Sequence, residues 1–68
     1  MPQGPFSRIV IRRPNGKVDV IGRVGFVDPH PTSRALQDAG AGEVLAIRHE
    51  MMPMAGKPQL VAIHPLRK

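Results

Sequence analysis

The sequence contains no cysteine, no tryptophan and no tyrosine among its 68 residues. Without cysteine there are no disulfides and no thiolate metal sites, and nothing favours an oxidising compartment. Phe6 and Phe26 are the only aromatic residues, which disfavours a base-stacking platform of the kind used by single-strand RNA binders. No apolar run approaches the roughly 18 residues of a membrane span, and no signal-peptide pattern opens the chain. These absences predict a cytoplasmic protein that does not associate with a membrane.

The length allows only a thin core. A domain of this size buries about 60% of the surface that its unfolded chain exposes, and such domains commonly draw extra stability from a partner surface. We therefore expect residues 1–68 to form a single small domain. Residues 1–6, which hold two prolines and a glycine, are expected to form an extended N-terminal arm.

Acidic residues are scarce relative to basic ones. Ten Lys and Arg against five Asp and Glu give a formal net charge of +5. An excess of this sign favours an anionic partner, which could be nucleic acid, an acidic protein surface or a nucleoprotein complex. The basic residues are too sparse for a tail that binds by charge alone, so a folded contact surface is expected.

The order of local patterns predicts a small α+β fold. Runs rich in β-branched and aliphatic residues predict strands at 7–13, 17–27, 43–50 and 59–65, and "RPNGK" at 13–17 is a hairpin turn signal. A short helix is expected within 28–42, with Gly40 or Gly42 after its end and with Ala35, Leu36 and Ala39 as its buried stripe. The expected architecture is a four-stranded antiparallel sheet in ββαββ order with one short helix. A small β-barrel is the alternative, because the glycines of the second strand could let it bend.

Alternation along the first two strands predicts a basic contact surface on the hairpin. Ile9 and Ile11 share one face of the first strand, and Val18, Val20 and Val24 share one face of the second. If these apolar sets pair over the core, the opposite face carries the candidate binding residues Arg8, Val10, Arg12, Lys17, Ile21 and Arg23. Positive charge interleaved with aliphatic side chains suits phosphate or carboxylate groups on a partner. The alternative is that the charges protect strand edges from aggregation.

No pattern in the sequence points to catalysis. His30, His49 and His64 lie in separate segments without metal-ligand spacing, and three ligands plus water or four ligands are needed for a zinc site. Ser7 and Ser33 lack a nucleophile-elbow pattern, and the glycines form no phosphate-binding motif. The sequence therefore predicts a protein that is not an enzyme and that holds no cofactor and no metal.

Three methionines lie in the segment between the last two predicted strands, "MMPMAGKP" at 51–58. Met51 and Met52 could fold back and extend the thin core, because flexible thioethers fill irregular gaps. Met52 and Met54 could instead flank Pro53 as an adaptable apolar contact for a partner. A soft Cu(I) site formed by His49 and the three sulfurs is the third interpretation. We assign Met52 and Met54 to the candidate contact surface.

Together these patterns predict a small basic binding module without enzymatic activity. It is expected to dock onto nucleic acid or onto a protein complex that handles nucleic acid. The first alternative is an inhibitor from a phage or mobile element, of the anti-defence or anti-CRISPR type, that occupies a host protein surface. The second is a structural subunit that completes its core by forming a homo-oligomer.

Overall fold

A single antiparallel sheet and one helix make up the part of the chain that the computed structural model describes, residues 3–66. The elements are β1 (Gly4–Arg12), β2 (Val18–Val24), α1 (Pro29–Asp38), β3 (Glu43–Met52) and β4 (Gln59–Pro65). The strands lie in the order β2-β1-β3-β4. The predicted α+β fold with ββαββ order is confirmed. The barrel alternative is wrong, because β2 and β4 are opposite edges of an open sheet.

The start of β1 corrects the predicted N-terminal arm. Residues 4–6 are part of the sheet, with Gly4 opposite Met52 of β3 and Phe6 between Val24 of β2 and Glu50 of β3. Residues 1 and 2 of the expected arm lie outside the described residues. The arm was expected because prolines are rare inside sheets. Pro5 fits into this one because it has no N–H that needs an acceptor, and its carbonyl accepts a hydrogen bond from the Gly25 N–H at 2.9 Å.

In the turn between β1 and β2, three residues (14–16) separate the hydrogen-bonded Arg13 and Lys17. Arg13 N–H donates to the Lys17 carbonyl at 2.8 Å, and Gly16 N–H donates to the Arg13 carbonyl at 2.8 Å. Gly16 has φ of 87°, while Asn15 stays outside the left-handed region and accepts a hydrogen bond from the Lys17 N–H through its side chain. This is a type I turn followed by a left-handed glycine, a common three-residue hairpin connection.

Gly16→Val is expected to lower the free energy of unfolding by about 1 kcal/mol or more, because a branched side chain must enter left-handed backbone. Thermal unfolding of this variant should be compared with that of Gly22→Val. Gly22 lies within β2 at a negative φ with open space around its Cα, so valine there should keep or slightly raise stability. Equal melting temperatures for Gly16→Val and the wild type would contradict the assigned turn.

The core lies between the sheet and α1. Ile9 and Ile11 of β1 and Val44 and Ile47 of β3 are buried. Partly buried apolar residues from the rest of the chain surround them: Ile21, Val27, Leu36, Ala41 and Leu66. The two central strands thus supply the fully buried side chains, and α1 covers one face of the sheet.

Helix α1 begins and ends where the sequence indicates, but it is rotated relative to the prediction. Asp28 is the N-cap and Gly40, at φ of 76°, follows the C-cap. The half-buried stripe consists of Pro29, Thr32, Ser33 and Leu36, whereas Ala35 and Ala39, which were expected to be buried, are exposed. The backbone bonds of the Gly40 and Ala41 amides to Gln37 and Leu36 close the helix end. No helix within residues 3–66 is long and apolar enough to cross a membrane.

Candidate functional site: the open sheet face

The side of the sheet opposite α1, which we call the open face, has no layer packed on it within residues 3–66. Five of its aliphatic side chains are between 50% and 82% exposed: Val18, Val20, Val24, Leu60 and Ile63. The cross-strand register also places a second, mainly polar or half-buried set there: Phe6, Arg8, Val10, Arg12, Arg48, Glu50 and Met52. Single exposed aliphatics are ordinary, but a contiguous set beside arginines is typical of a contact surface.

Half of the six hairpin residues that were predicted to share a face do so. Arg8, Val10 and Arg12 do share the open face. Ile21 and Arg23 do not, because Ile21 lies opposite the buried Ile9 and Arg23 lies opposite the buried Ser7. Both side chains therefore belong to the α1 side of the sheet. Lys17 lies in the turn, outside β2.

The valines of β2 were placed on the wrong side by the sequence interpretation. They were expected over the core, but Val18, Val20 and Val24 lie opposite Arg12, Val10 and Phe6 on the open face. Alternation within each strand was predicted correctly, and the alignment of the two strands was not. The open face is consequently more apolar than the sequence indicated.

A carboxylate at the centre of the open face holds two arginines. Glu50 is only 3% exposed, and its Oε2 lies 3.1 Å from Nε of Arg48 and 3.6 Å from Nε of Arg8. Arg8 and Arg48 are directly opposite each other on β1 and β3. The two guanidinium groups stay partly exposed, so Glu50 orients two donors toward the surface while neutralising one charge. Arg48 and Glu50 were missed from the sequence, although they alternate along a predicted strand.

The other charges of the open face are loosely paired. Arg12 lies 4.0 Å from Glu43, and both side chains are well exposed. The Arg8 guanidinium also lies 5.4 Å from the centre of the Phe6 ring, within range of a cation–π contact. Three arginines against two glutamates leave the face with a net positive charge.

The methionines do not act as one group. Met51 and Met52 belong to β3 rather than to the loop. Met51 is 38% exposed and is not a core residue. Met52 lies on the open face and lines a shallow cavity of about 320 Å³ with Phe6, Gly22 and Val24, while Met54 is 84% exposed in the following loop. The copper interpretation fails, because His49 and Met52 point to opposite sides of β3.

Two of the three histidines meet on the α1 side of the sheet. His49 Nε2 lies 2.9 Å from the Val27 carbonyl oxygen. A carbonyl can only accept, so Nε2 of His49 donates this bond, and Nδ1 of the same ring lies 3.1 Å from Nε2 of His64. Phe26 stacks on the His49 ring at 4.8 Å, and His30 lies apart at the exposed start of α1. Within residues 3–66 no three His, Asp or Glu side chains are arranged to hold a metal.

Ser7 and His49 together fix the segment that joins β2 to α1. The Ser7 hydroxyl donates to the Gly25 carbonyl at 2.7 Å and accepts from the Val27 N–H at 3.1 Å. His49 lies opposite Ser7 and binds the carbonyl of the same valine. We call this set of bonds the Val27 clamp. The Ser7 proton is committed to a backbone oxygen and the residue is fully buried, so this serine–histidine neighbourhood is structural.

Comparison of the chain with protein-family models, with curated proteins and with solved structures yields no match. The geometry of the open face is therefore the basis for assigning a function.

Proposed function

We propose that this protein is a binding module without enzymatic activity that docks through the open face onto an acidic protein surface, such as one in a complex that handles nucleic acid. The observation that carries the proposal is the uncovered sheet face, where arginines alternate with half-exposed aliphatic side chains. A face of this kind can place apolar contacts at its centre and charge-assisted hydrogen bonds around them.

The balance of charge on the open face favours a protein partner over a phosphate backbone. Arg8 and Arg48 share the Glu50 carboxylate, and Arg12 lies near Glu43. A surface that must neutralise several phosphates would instead present unpaired cations. Oriented arginines beside valines, Met52 and Phe6 match the composition that is enriched at protein interfaces.

Nucleic acid is the second candidate, and the net charge of +5 favours it. Arg23 and Arg34 supply positive charge away from the open face, and Lys17 and Lys57 add more in the segments between strands. Such dispersed cations would give binding that depends on total charge rather than on one face. The two candidates can therefore be distinguished by reversing the charge of one arginine on the open face and, separately, of one arginine away from it.

Arg12→Glu and Arg34→Glu form a matched pair for this test. Both reverse one exposed or half-exposed arginine, the first on the open face and the second on α1. Each purified variant and the wild type would be immobilised and exposed to nuclease-treated lysate of the organism that encodes the protein. We expect an acidic protein to be retained by the wild type and by Arg34→Glu but lost from Arg12→Glu. Ile63→Ser, which removes an exposed aliphatic from the same face, should also release it.

Binding of a labelled RNA strand and a DNA duplex, measured by fluorescence anisotropy at two salt concentrations, tests the second candidate. Steep salt dependence with equal losses for Arg12→Glu and Arg34→Glu would support general attraction to nucleic acid and contradict docking through the open face. A protein retained equally by Arg12→Glu, Ile63→Ser and the wild type would contradict it as well.

A further inference from the structure

Within residues 3–66 no strand pairs with the outer edge of β2. β2 pairs with β1 on one side and is the last strand of the sheet on the other. Hydrogen bonds between Arg13 and Lys17 and between Gly25 and Pro5 flank this pairing, so the odd-numbered residues of β2 direct their backbone groups toward β1. The N–H and C=O groups of the even-numbered residues therefore face outward: Val18, Val20, Gly22 and Val24.

We propose that two copies of this chain associate through this edge, with β2 of one copy antiparallel to β2 of the other about a two-fold axis at Ile21. In this register Val20 lies opposite Gly22 of the second copy, and Val18 lies opposite Val24 of the second copy. All seven residues of β2 take part, and the two four-stranded sheets become one continuous sheet. The inference goes beyond the docking function and does not depend on it.

The charges of β2 select this register. With the axis at Ile21, Asp19 lies opposite Arg23 of the second copy, and symmetry repeats the pair. An axis at Asp19 or at Arg23 would set that residue against its own copy, which places like charges directly opposite. An axis at Val20 or Gly22 shortens the paired stretch. The strand is thus self-complementary in one arrangement.

Two of the four outward backbone groups at the centre of the interface, the Val20 N–H and the Gly22 C=O, are each held by a neighbouring side chain in the single copy. The Val20 N–H donates to Oδ1 of Asp19 at 2.9 Å, and Nη1 of Arg23 donates to the Gly22 carbonyl at 2.9 Å. The Val20 bond, together with the nearby Arg13, lowers the pKa of Asp19. In the pair of strands the Val20 N–H donates to the Gly22 carbonyl of the second copy. Asp19 and Arg23 are then released to bind each other across the interface.

The apolar side chains of the edge support the same arrangement. Val18 and Val24 are 59% and 82% exposed in the single copy, and the proposed register places them opposite each other at both ends of the strand. Cross-strand pairs of β-branched residues stabilise a sheet.

A charge-swap experiment tests the proposal by sedimentation velocity at micromolar concentrations. The wild type is expected to be a dimer, while D19R and R23D should each associate at least about tenfold more weakly because both cross-strand pairs become repulsive. An equimolar mixture of D19R and R23D should form a heterodimer, since every position then meets an opposite charge. The double variant D19R/R23D should form a homodimer again.

Val20→Pro provides a test that does not depend on charge. Its N–H faces outward, so proline there leaves the bonds to β1 intact while blocking the edge. The variant should stay folded by circular dichroism and be monomeric. A monomeric wild type, a mixture of D19R and R23D that stays monomeric although both are folded, or a dimeric Val20→Pro would each overturn the proposal.

Discussion

Gly42→Ala is expected to lower the free energy of unfolding by about 3 kcal/mol or more, which is over half of the stability of a small domain. Gly42 precedes β3 and has φ of 138°, a conformation that residues with a Cβ rarely adopt. A methyl group on its Cα would overlap the carbonyl oxygen of Arg12 and lie 2.9 Å from the carbonyl carbon. These are backbone atoms of the last residue of β1, so they cannot rotate away as the end of a side chain could.

Relief of this overlap requires the end of β1 to move away from the start of β3. Arg12 and Glu43 are paired at that end, and the buried Ile11 and Val44 are their neighbours. The backbone strain costs about 1–3 kcal/mol, and displacement of the strands adds to it. A total of about 3 kcal/mol or more approaches the stability of a small domain, about 5 kcal/mol. Urea unfolding followed by circular dichroism measures the loss.

Gly40→Ala is the matched control for this prediction. Gly40 also has a positive φ, of 76°, but no atom lies within 4 Å of a Cβ built there. Its replacement should cost only the conformational penalty of about 1 kcal/mol. If Gly42→Ala proved as stable as Gly40→Ala, the close approach of Gly42 to Arg12 would be refuted.

The elements of this fold were predictable because their signals are local. Alternation of apolar residues marked the strands, and Gly40 was identified as a candidate helix-ending residue by the left-handed conformation that such a position needs. The sequence did not specify which strand of each hairpin is central, and in the structure β1 lies beside β3. The end of β3 was placed two residues early, because Met51 and Met52 join the sheet through long-range pairing with residues 4 and 5 at the start of β1, and Met51 also pairs with Gln59 of β4.

Which side chains of β2 face the core depends on whether the turn between β1 and β2 has two or three residues. A two-residue Asn15–Gly16 turn would pair Pro14 with Lys17 and set Val20 opposite Ile11, which is the arrangement expected from the sequence. The observed turn pairs Arg13 with Lys17 and sets Asp19 opposite Ile11. A shift of one residue exchanges the two faces of a strand. The sequence "PNG" is compatible with both turns, so the valines of β2 could not be placed from it.

The contact between Arg8 and Glu50 at the centre of the open face could not be predicted from the sequence for a different reason. Arg8 and Glu50 are far apart in the chain and meet because β3 lies beside β1. The partners of a charged residue in a sheet depend on strand order and register, which alternation within one strand does not specify. Arg8, Val10 and Arg12 were found because they belong to one strand.

Ser7→Ala is expected to lower the free energy of unfolding by about 1–3 kcal/mol, the cost of leaving buried polar groups without partners. The hydroxyl binds both the Gly25 carbonyl and the Val27 N–H. Ser7 is fully buried, and Val27 is part of the layer packed on the core, so water is poorly placed to replace the oxygen. Loss of the hydroxyl also weakens the support for His49, which binds the carbonyl of the same valine.

Hydrogen exchange at the Val27 amide locates this effect. In Ser7→Ala the amide should exchange faster than in the wild type, while the Ile9 and Ile47 amides at the centre of the sheet should be affected only through the global stability. Ser33→Ala is the control, because Ser33 lies half-buried on α1 and alanine there favours the helix. If Ser7→Ala kept both the melting temperature and the Val27 protection of the wild type, the segment before α1 would be held by apolar packing alone. The hydrogen bonds of the Val27 clamp would then contribute nothing to the stability of the fold.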